Sequence, residues 1–314
     1  MEMENFRIAI NAVVPLLFYI CLGYITRARG VADKEMFRRM NRLCFRVFYV
    51  FISFYNVCQA DFNTGEHGRL ALFVLISFTV FMVILLLVVP HCVKENEKRG
   101  VVMQGIYRSN SVFFAIPLAQ SVFGQEGASL AGLIVSFMVP IYNVLSVVIL
   151  EYYHEKNIDP LGLLKNVLKN PLVLGAIAGL AYKLLPFGMP ECLWIPVTKI
   201  AELTSPLCLF ILGGSLTLSS VGGNLKYLLP ILFTKLVAVP ALILALAVSL
   251  GFSPLQRFVA FCLFATPVAA ASFPMAQELG GDSELAAEIV VFSTAASGVT
   301  LVAWIYFMKT IGVF

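Results

Sequence analysis

The chain has 314 residues, 60% of them hydrophobic and only 13% charged, with a formal net charge of +4 and a mean hydropathy of +0.89. A soluble globular domain carries about 25% charged residues, so that class is excluded and the solvent for most of this chain is lipid. No nucleic-acid partner is expected.

Apolar stretches of about 20 residues, the length that crosses a hydrocarbon layer of about 30 Å, recur along the chain. In order they fall at about 6–26, 40–60, 69–90, 101–122, 127–150, 170–186, 190–216, 225–250, 255–279 and 284–308. Glu2 and Glu4 precede the first, and neither a basic segment nor a small-residue cleavage site accompanies it. It is expected to stay as a helix and not to leave as a signal peptide. In the longest connection, 151–169, Asp159-Pro160 is placed as a helix N-cap followed by a first-turn proline. Leu161, Leu164 and Leu168 then share a face beside Lys165 and Lys169. The segment reads either as a short helix on the cytoplasmic interface or as a plain linker.

The fourth and ninth stretches carry one motif half a chain apart: Pro117-Leu118-Ala119-Gln120 with Gly124, and Pro274-Met275-Ala276-Gln277 with Gly281. A fainter echo, Pro15-Leu16…Gly23 and Pro171-Leu172…Gly179, has nearly the same separation. Duplicating a unit of five spans makes the second copy enter the bilayer from the opposite face. The expected fold is therefore an all-α integral membrane protein. It would have ten transmembrane helices as two inverted five-helix repeats, 1–150 and 170–314, with the fourth and ninth helices broken and crossing.

Orientation follows from the basic residues of the short loops. Arg27, Arg29, Lys34, Arg38, Arg39, Arg42, Lys94, Lys98, Arg99, Lys156, Lys165, Lys169 and Lys226 fall on one side, against Arg7, Arg69, Lys183, Arg257 and Lys309 on the other. The richer side is expected to be cytoplasmic, which puts both termini of a cell-membrane protein outside. The loop with Asp282 and Glu284 is acidic yet falls inside, and acidic residues weigh little in this rule.

A proline inside a helix removes a donor and clashes with the preceding turn, and the freed backbone groups are costly in hydrocarbon unless they face protein or a wet cavity. Around Pro117, Pro267 and Pro274 lie small or polar residues: Ser109, Asn110, Ser111 and Ala115, then Thr266, Ala269, Ala270, Ala271 and Ser272. If both helices unwind there, half-helix N-termini carry partial positive charge to mid-bilayer, which suits a small anion. Packing kinks are the alternative, and the duplication favours the binding site. Asn110 either contacts ligand, with Arg108 as a cation near the site mouth, or makes an interhelical hydrogen bond. Gln120 and Gln277 either coordinate substrate or a coupling ion or cap unwound turns. The substrate-binding candidates are thus Asn110, Ser111, Pro117, Gln120, Thr266, Pro267, Ser272, Pro274 and Gln277.

Ionisable groups inside spans are functional hypotheses by default. Lys199 and Glu202 are three residues apart and can pair along one helix face. A buried Glu202 could take up a proton in one conformation and release it in the other, or the pair could neutralise itself in the framework. Glu202, Lys199 and Arg108 are the ion-coupling candidates. Arg46 and Lys235 are expected to snorkel toward an interface. The seven cysteines have no CxxC spacing and read as small core residues. The sequence contains no phosphate-binding loop, metal-ligand cluster or nucleophile–base pair, so neither an ATP-driven pump nor an enzyme is expected, and no cofactor.

At these residues the chain resembles the auxin efflux carrier family over nearly its whole length. Asn110-Ser111, Ala115-Ile116-Pro117-Leu118 and Phe123-Gly124 are similar to that family's fourth helix. Thr204-Ser205-Pro206-Leu207 with Leu212-Gly213-Gly214-Ser215-Leu216 is similar to its seventh. Ala265-Thr266-Pro267-Val268-Ala269, Ala276-Gln277 and Gly280-Gly281-Asp282 are similar to its ninth, and Asn41-Arg42 and Ser53-Phe54 to its second. The resemblance implies a fold shared with sodium/proton antiporters and bile-acid symporters. It also implies a scaffold of helices 1, 2, 6 and 7, a transport domain from helices 3–5 and 8–10, and a substrate site at the helix 4/helix 9 crossover. Asn110 matches the family's substrate-binding Asn and Pro117 its crossover proline, and homodimers occur in the plant branch. Val50, Ala115, Gln120 and Gln277 depart from the plant pattern, and a bacterial permease is the better fit.

The expected function is a secondary transporter of a small organic anion, a carboxylate, working by alternating access. Either a proton, a sodium ion or no ion is coupled. The alternatives are a non-transporting sensor on a transporter body and a passive anion channel.

Overall fold

The computed structural model describes residues 2–60, 65–154, 160–186, 188–217 and 221–313. Lys156 and Asp159, to which the sequence assigns roles, lie outside the described residues, as does the side chain of Arg7. In chain order the first helices are α1 (Glu2–Ala28), α2 (Lys34–Leu43), α3 (Tyr49–Gln59), α4 (Gly68–Cys92), α5 (Asn96–Tyr107), α6 (Ser111–His154) and α7 (Pro160–Lys169). There follow α8 (Pro171–Lys183), α9 (Glu191–Ser215), α10 (Val221–Phe233), α11 (Val239–Ser249), α12 (Pro254–Ala265), α13 (Ser272–Glu278) and α14 (Ser283–Thr310). Two joints are π-helical: Cys44–Phe48 between α2 and α3, and Thr234–Ala238 between α10 and α11.

The architecture of ten transmembrane helices in two inverted five-helix repeats does not hold. Among the described residues five helices are long and apolar enough to cross a membrane: Gly68–Cys92, Ser111–His154, Glu191–Ser215, Gly222–Ser249 and Ser283–Thr310. A sixth span exists only if α7 and α8, bent by 70° at their junction, count as one. The physical reason is that apolar content runs straight through breaks that helices do not. The stretch 101–122 is divided between α5 and α6, 255–279 between α12 and the seven-residue α13, and 40–60 starts in the charged α2. What the structure does show is an all-α, multi-pass membrane protein.

Two groups of helices pack around the chain's core. In the first, α1 lies along α9 and α3 along α8. A Cβ placed on Gly23 would run into the backbone of Phe210, one on Gly213 into that of Ile20, and one on Gly175 into that of Val50. Backbone-to-backbone approach through small residues is how helices pack in lipid, where no hydrophobic force pulls them together. In the second group α6 packs on α5 and α12, α12 on α11, and α14 on α10 and α13. The groups meet where α1 crosses α14 and α6, and where α3 crosses α6.

Gly124 interrupts α6 with φ 64 and ψ −149, a combination that only glycine adopts without strain. A second pair of interruptions faces inward. The chain leaves helix at 108–110, between α5 and α6, and at 266–271, between α12 and α13. There Ser109 and Val268 form an isolated antiparallel bridge. The Asn110 amide donates to the Pro267 carbonyl (2.8 Å), and the Val268 amide to Ser293 Oγ on α14 (3.1 Å). The backbone of the two breaks is thus satisfied partly by their own pairing and partly by α14, the condition for irregular chain inside a membrane protein. Both breaks lie upstream of Pro117 and Pro274, which sit within α6 and α13.

The loops sort into two ends. One gathers Arg27, Lys34, Arg42, Lys98, Glu278, Asp282 and Glu284; Arg27 donates to the Leu216 carbonyl, and Lys34–Glu284 (3.5 Å) and Lys98–Asp282 (3.7 Å) are ion pairs. The acidic 278–284 loop therefore sits at the basic end as its counter-charge. The other end joins Arg69 to the Leu250 carbonyl, Lys183 to that of Ala60, and Arg257 to that of Val313. Of the cysteines, Cys44, Cys208 and Cys262 are buried, whereas Cys21, Cys92 and Cys192 are exposed, so the core reading fits only part of the set.

Candidate functional site

A cavity of about 400 Å³ opens where the broken segments face the first helix group. Residues 108–113 and Ala269, Ala270 and Ala271 form one wall. Tyr49, Ile52, Tyr55 and Asn56 of α3, with Ala201, Glu202, Thr204, Ser205 and Cys208 of α9, form the opposite one, and Val139, Tyr142 and Asn143 of α6 close the side. The wall is mostly apolar with a few convergent polar groups, as in small-molecule sites generally.

Arg108 is the cation of this cavity. It is 3% exposed; its Nη2 donates to Asn143 Oδ1 (2.7 Å) and its Nη1 to Ser146 Oγ (3.4 Å) and to the Met275 sulfur. Tyr107 Oη and Ser146 Oγ share a further hydrogen bond (2.6 Å). No described carboxylate pairs with Arg108. Burying a charge without a counter-charge costs several kcal/mol even after relaxation, a cost that an anion entering the cavity would offset.

The other polar groups are oriented the same way. The Asn110 side chain, 8% exposed, makes no hydrogen bond to any described residue while its backbone is held by Pro267. Ser111 Oγ and Tyr142 Oη are buried and unpartnered. Buried polar atoms are nearly always hydrogen-bonded, so the Ser111 and Tyr142 hydroxyls, without partners among the described residues, are, with the Asn110 amide, free to meet polar groups of a ligand in the cavity. The first turn of α6, residues 111–113, also lines the cavity, and its amides lack intrahelical acceptors and carry partial positive charge.

Of the candidates read from the sequence, the structure brings Arg108, Asn110, Ser111 and Glu202 to the cavity. Pro267 supplies the carbonyl that fixes Asn110, and Thr266 and Ser272 are buried at the second break with unpartnered hydroxyls, outside the cavity wall. Pro117 and Gln120 face outward from α6; Pro274 is buried within α13, and Gln277 is half-buried on it. None of these four lines the cavity. Lys199 and Glu202 are paired (2.8 Å), but their side chains are 72% and 54% exposed. Glu202 is therefore not the buried carboxyl the sequence suggested. Lys235, expected to snorkel, is instead 1% exposed and donates to Ser109 Oγ. Tyr142, Asn143 and Ser146 were missed; their polar stripe on one face of a long apolar helix was the available signal.

A family model described as membrane transport protein matches this chain over residues 8–161 and again over 156–305. A putative malonate transporter of Rhizobium meliloti (strain 1021) is 28% identical over 155 residues, 48% of this chain and 47% of that protein. The match thus spans about half the length of this relative.

Proposed function

Because this chain belongs to the membrane transport protein family of auxin efflux carriers, we propose that it is a secondary transporter of a small carboxylate. The single observation that carries the proposal is Arg108, a buried guanidinium with no carboxylate partner among the described residues, lining a cavity where the Asn110, Ser111 and Tyr142 side chains likewise have no described hydrogen-bond partner. A carboxylate takes two hydrogen bonds from a guanidinium and accepts from amide and hydroxyl donors. The printed description of the Rhizobium meliloti relative, a malonate transporter, supports the same chemistry.

In this mechanism the anion binds beside the paired breaks at 108–110 and 266–271. The group formed by α5, α6 and α10–α14 then moves against the group formed by α1–α3, α8 and α9, exposing the cavity first to one end and then to the other. The cavity lies between the groups and not within either, which is what alternating access requires. The basic end is cytoplasmic. A homodimer, and a proton or sodium ion as the coupled species, are compatible with this arrangement.

The test is Asn110→Ala. The amide is removed without disturbing the Asn110 backbone bond to Pro267, so the protein stays monodisperse while carboxylate uptake into reconstituted vesicles is abolished. Uptake equal to wild type would remove Asn110 from the site. Binding without flux in wild-type vesicles would favour a sensor on a transporter body.

A further inference from the structure

The short helix α13 follows the break at 266–271 and reaches across to the other helix group. It packs on α2, on the π-helical joint Cys44–Phe48 and on α9. Met275, within it, accepts from Arg108 at the cavity. Glu278, its last residue, accepts from Asn41 Nδ2 (3.2 Å) and lies 3.9 Å from Arg42 Nε. Asn41 is fully buried, and its Oδ1 has no partner among the described residues, so Glu278 is what anchors this amide. Lys34 of α2 and Glu284 of α14 pair at the same end (3.5 Å). All of these ties join one group to the other at the basic end. At the opposite end Lys183 bonds the Ala60 carbonyl within the first group, and Arg257 the Val313 carbonyl within the second.

The cavity is asymmetric in the same sense. Helix α3 runs from the basic end to Ala60 at the opposite one, and Asn56, on the cavity wall, is about one turn from Ala60. Glu202, on the facing wall, is exposed. Toward the basic end the wall stops at Tyr49 and Cys208, and behind them Asn41, Cys44, Phe45 and Leu212 are all buried.

We propose that this is the conformation open to the opposite end, and that Asn41, Arg42 and Glu278 form a latch holding α13 as the bolt of the basic end. This rests on the alternating-access reading above. A hydrogen bond to a carboxylate is one of the stronger kind, and it exists only while the groups touch, so it biases the equilibrium toward closure of that end. Release hydrates both partners, including the spare Asn41 oxygen, which keeps the latch reversible.

The reporter is Ser205→Cys, on the cavity wall. The full chain in sealed, oriented vesicles meets a membrane-impermeant thiol reagent from one face or the other. Mass spectrometry then reads labelling at position 205 apart from the native cysteines. With the latch intact, labelling is faster from the opposite end. Asn41→Asp sets two carboxylates against each other and raises the rate from the basic face about tenfold or more, the worth of one charge-assisted hydrogen bond. Combining Asn41→Asp with Glu278→Gln rebuilds an amide–carboxylate bond with the partners exchanged, and the rate falls back. Glu278→Ala, which removes the acceptor, raises the rate in the same way and serves if Asn41→Asp does not fold. A basic-face rate that neither single variant changes, or that stays high in the double variant, overturns the latch and leaves the carrier reading to its own test. Equally fast labelling from both faces with the latch intact would reveal an open pore, overturning alternating access and the latch with it.

Discussion

Among the described residues Arg108 holds three neutral partners and no carboxylate. A charge kept that way lowers the stability of the empty protein, and in the proposed mechanism an arriving anion offsets it. Arg108→Gln should therefore separate binding from folding. Truncating one side of a buried, hydrogen-bonded charge pair costs about 2–5 kcal/mol of affinity, so carboxylate binding should weaken about 30-fold or more. The empty variant should melt no lower than wild type, while the rise in Tm that malonate gives wild type by mass action disappears. A variant that melts far lower and still responds to malonate would make Arg108 a framework residue. At this scale the sequence was partly legible. Asn110 stood out because an amide in an apolar stretch needs a partner, and the structure leaves it facing a cavity. Lys235 was misread although its depth was visible: near mid-span, about 15 Å from either surface, a lysine cannot reach an interface. Gln120 and Gln277 follow the breaks in sequence but do not line the cavity, since a helix turns successive side chains to different faces.

Helix ends and helix contacts were less legible than helix composition. The duplicated Pro-Leu/Met-Ala-Gln motif marked the two broken regions, but the breaks lie upstream of it, where the backbones of 109–110 and 267–268 pair with each other. Such a long-range pairing leaves no local signature. The glycine echo of Gly23 and Gly179 had a packing cause: both positions lie against another helix's backbone. Gly213→Ala tests that cause. Its new methyl meets the Ile20 carbonyl, and overpacking costs about 1–3 kcal/mol; a Tm loss of several degrees is expected. Gly222→Ala, with open space around it, should not lower the Tm, and equal losses in both would point to backbone effects instead of packing. At the basic end, Tyr227 Oη donates to Glu95 Oε2 (2.8 Å), and this bond, with Lys98 and Lys226 nearby, holds the Glu95 carboxyl below the usual carboxylate range. A lowered folded-state pKa means stability that is present at neutral pH and lost as pH falls through it. Glu95→Gln should melt slightly lower than wild type at pH 7, and the difference should vanish at acid pH. A gap that persists in acid would assign it to packing.

For the whole molecule, composition was decisive for the class and misleading for the count. Hydrocarbon-like content fixed a multi-pass membrane protein, but among the described residues ten apolar stretches became five continuous spans, or six, because breaks and bends cut helices without changing hydropathy. The two-ended distribution of charge was legible as well, and the structure supplies what the loop count lacked, namely cations for Asp282, Glu284 and Glu278. The family model matches both halves of the chain, in keeping with the paired breaks meeting at one cavity. The central claim is that this cavity carries a carboxylate across the bilayer on Arg108. Solute counterflow tests it most directly: vesicles preloaded with unlabelled malonate are diluted into trace labelled malonate. Wild type should accumulate label transiently and saturably, and Arg108→Gln vesicles should not. Wild-type vesicles that stay empty of label, or Arg108→Gln vesicles that fill as fast, would contradict it.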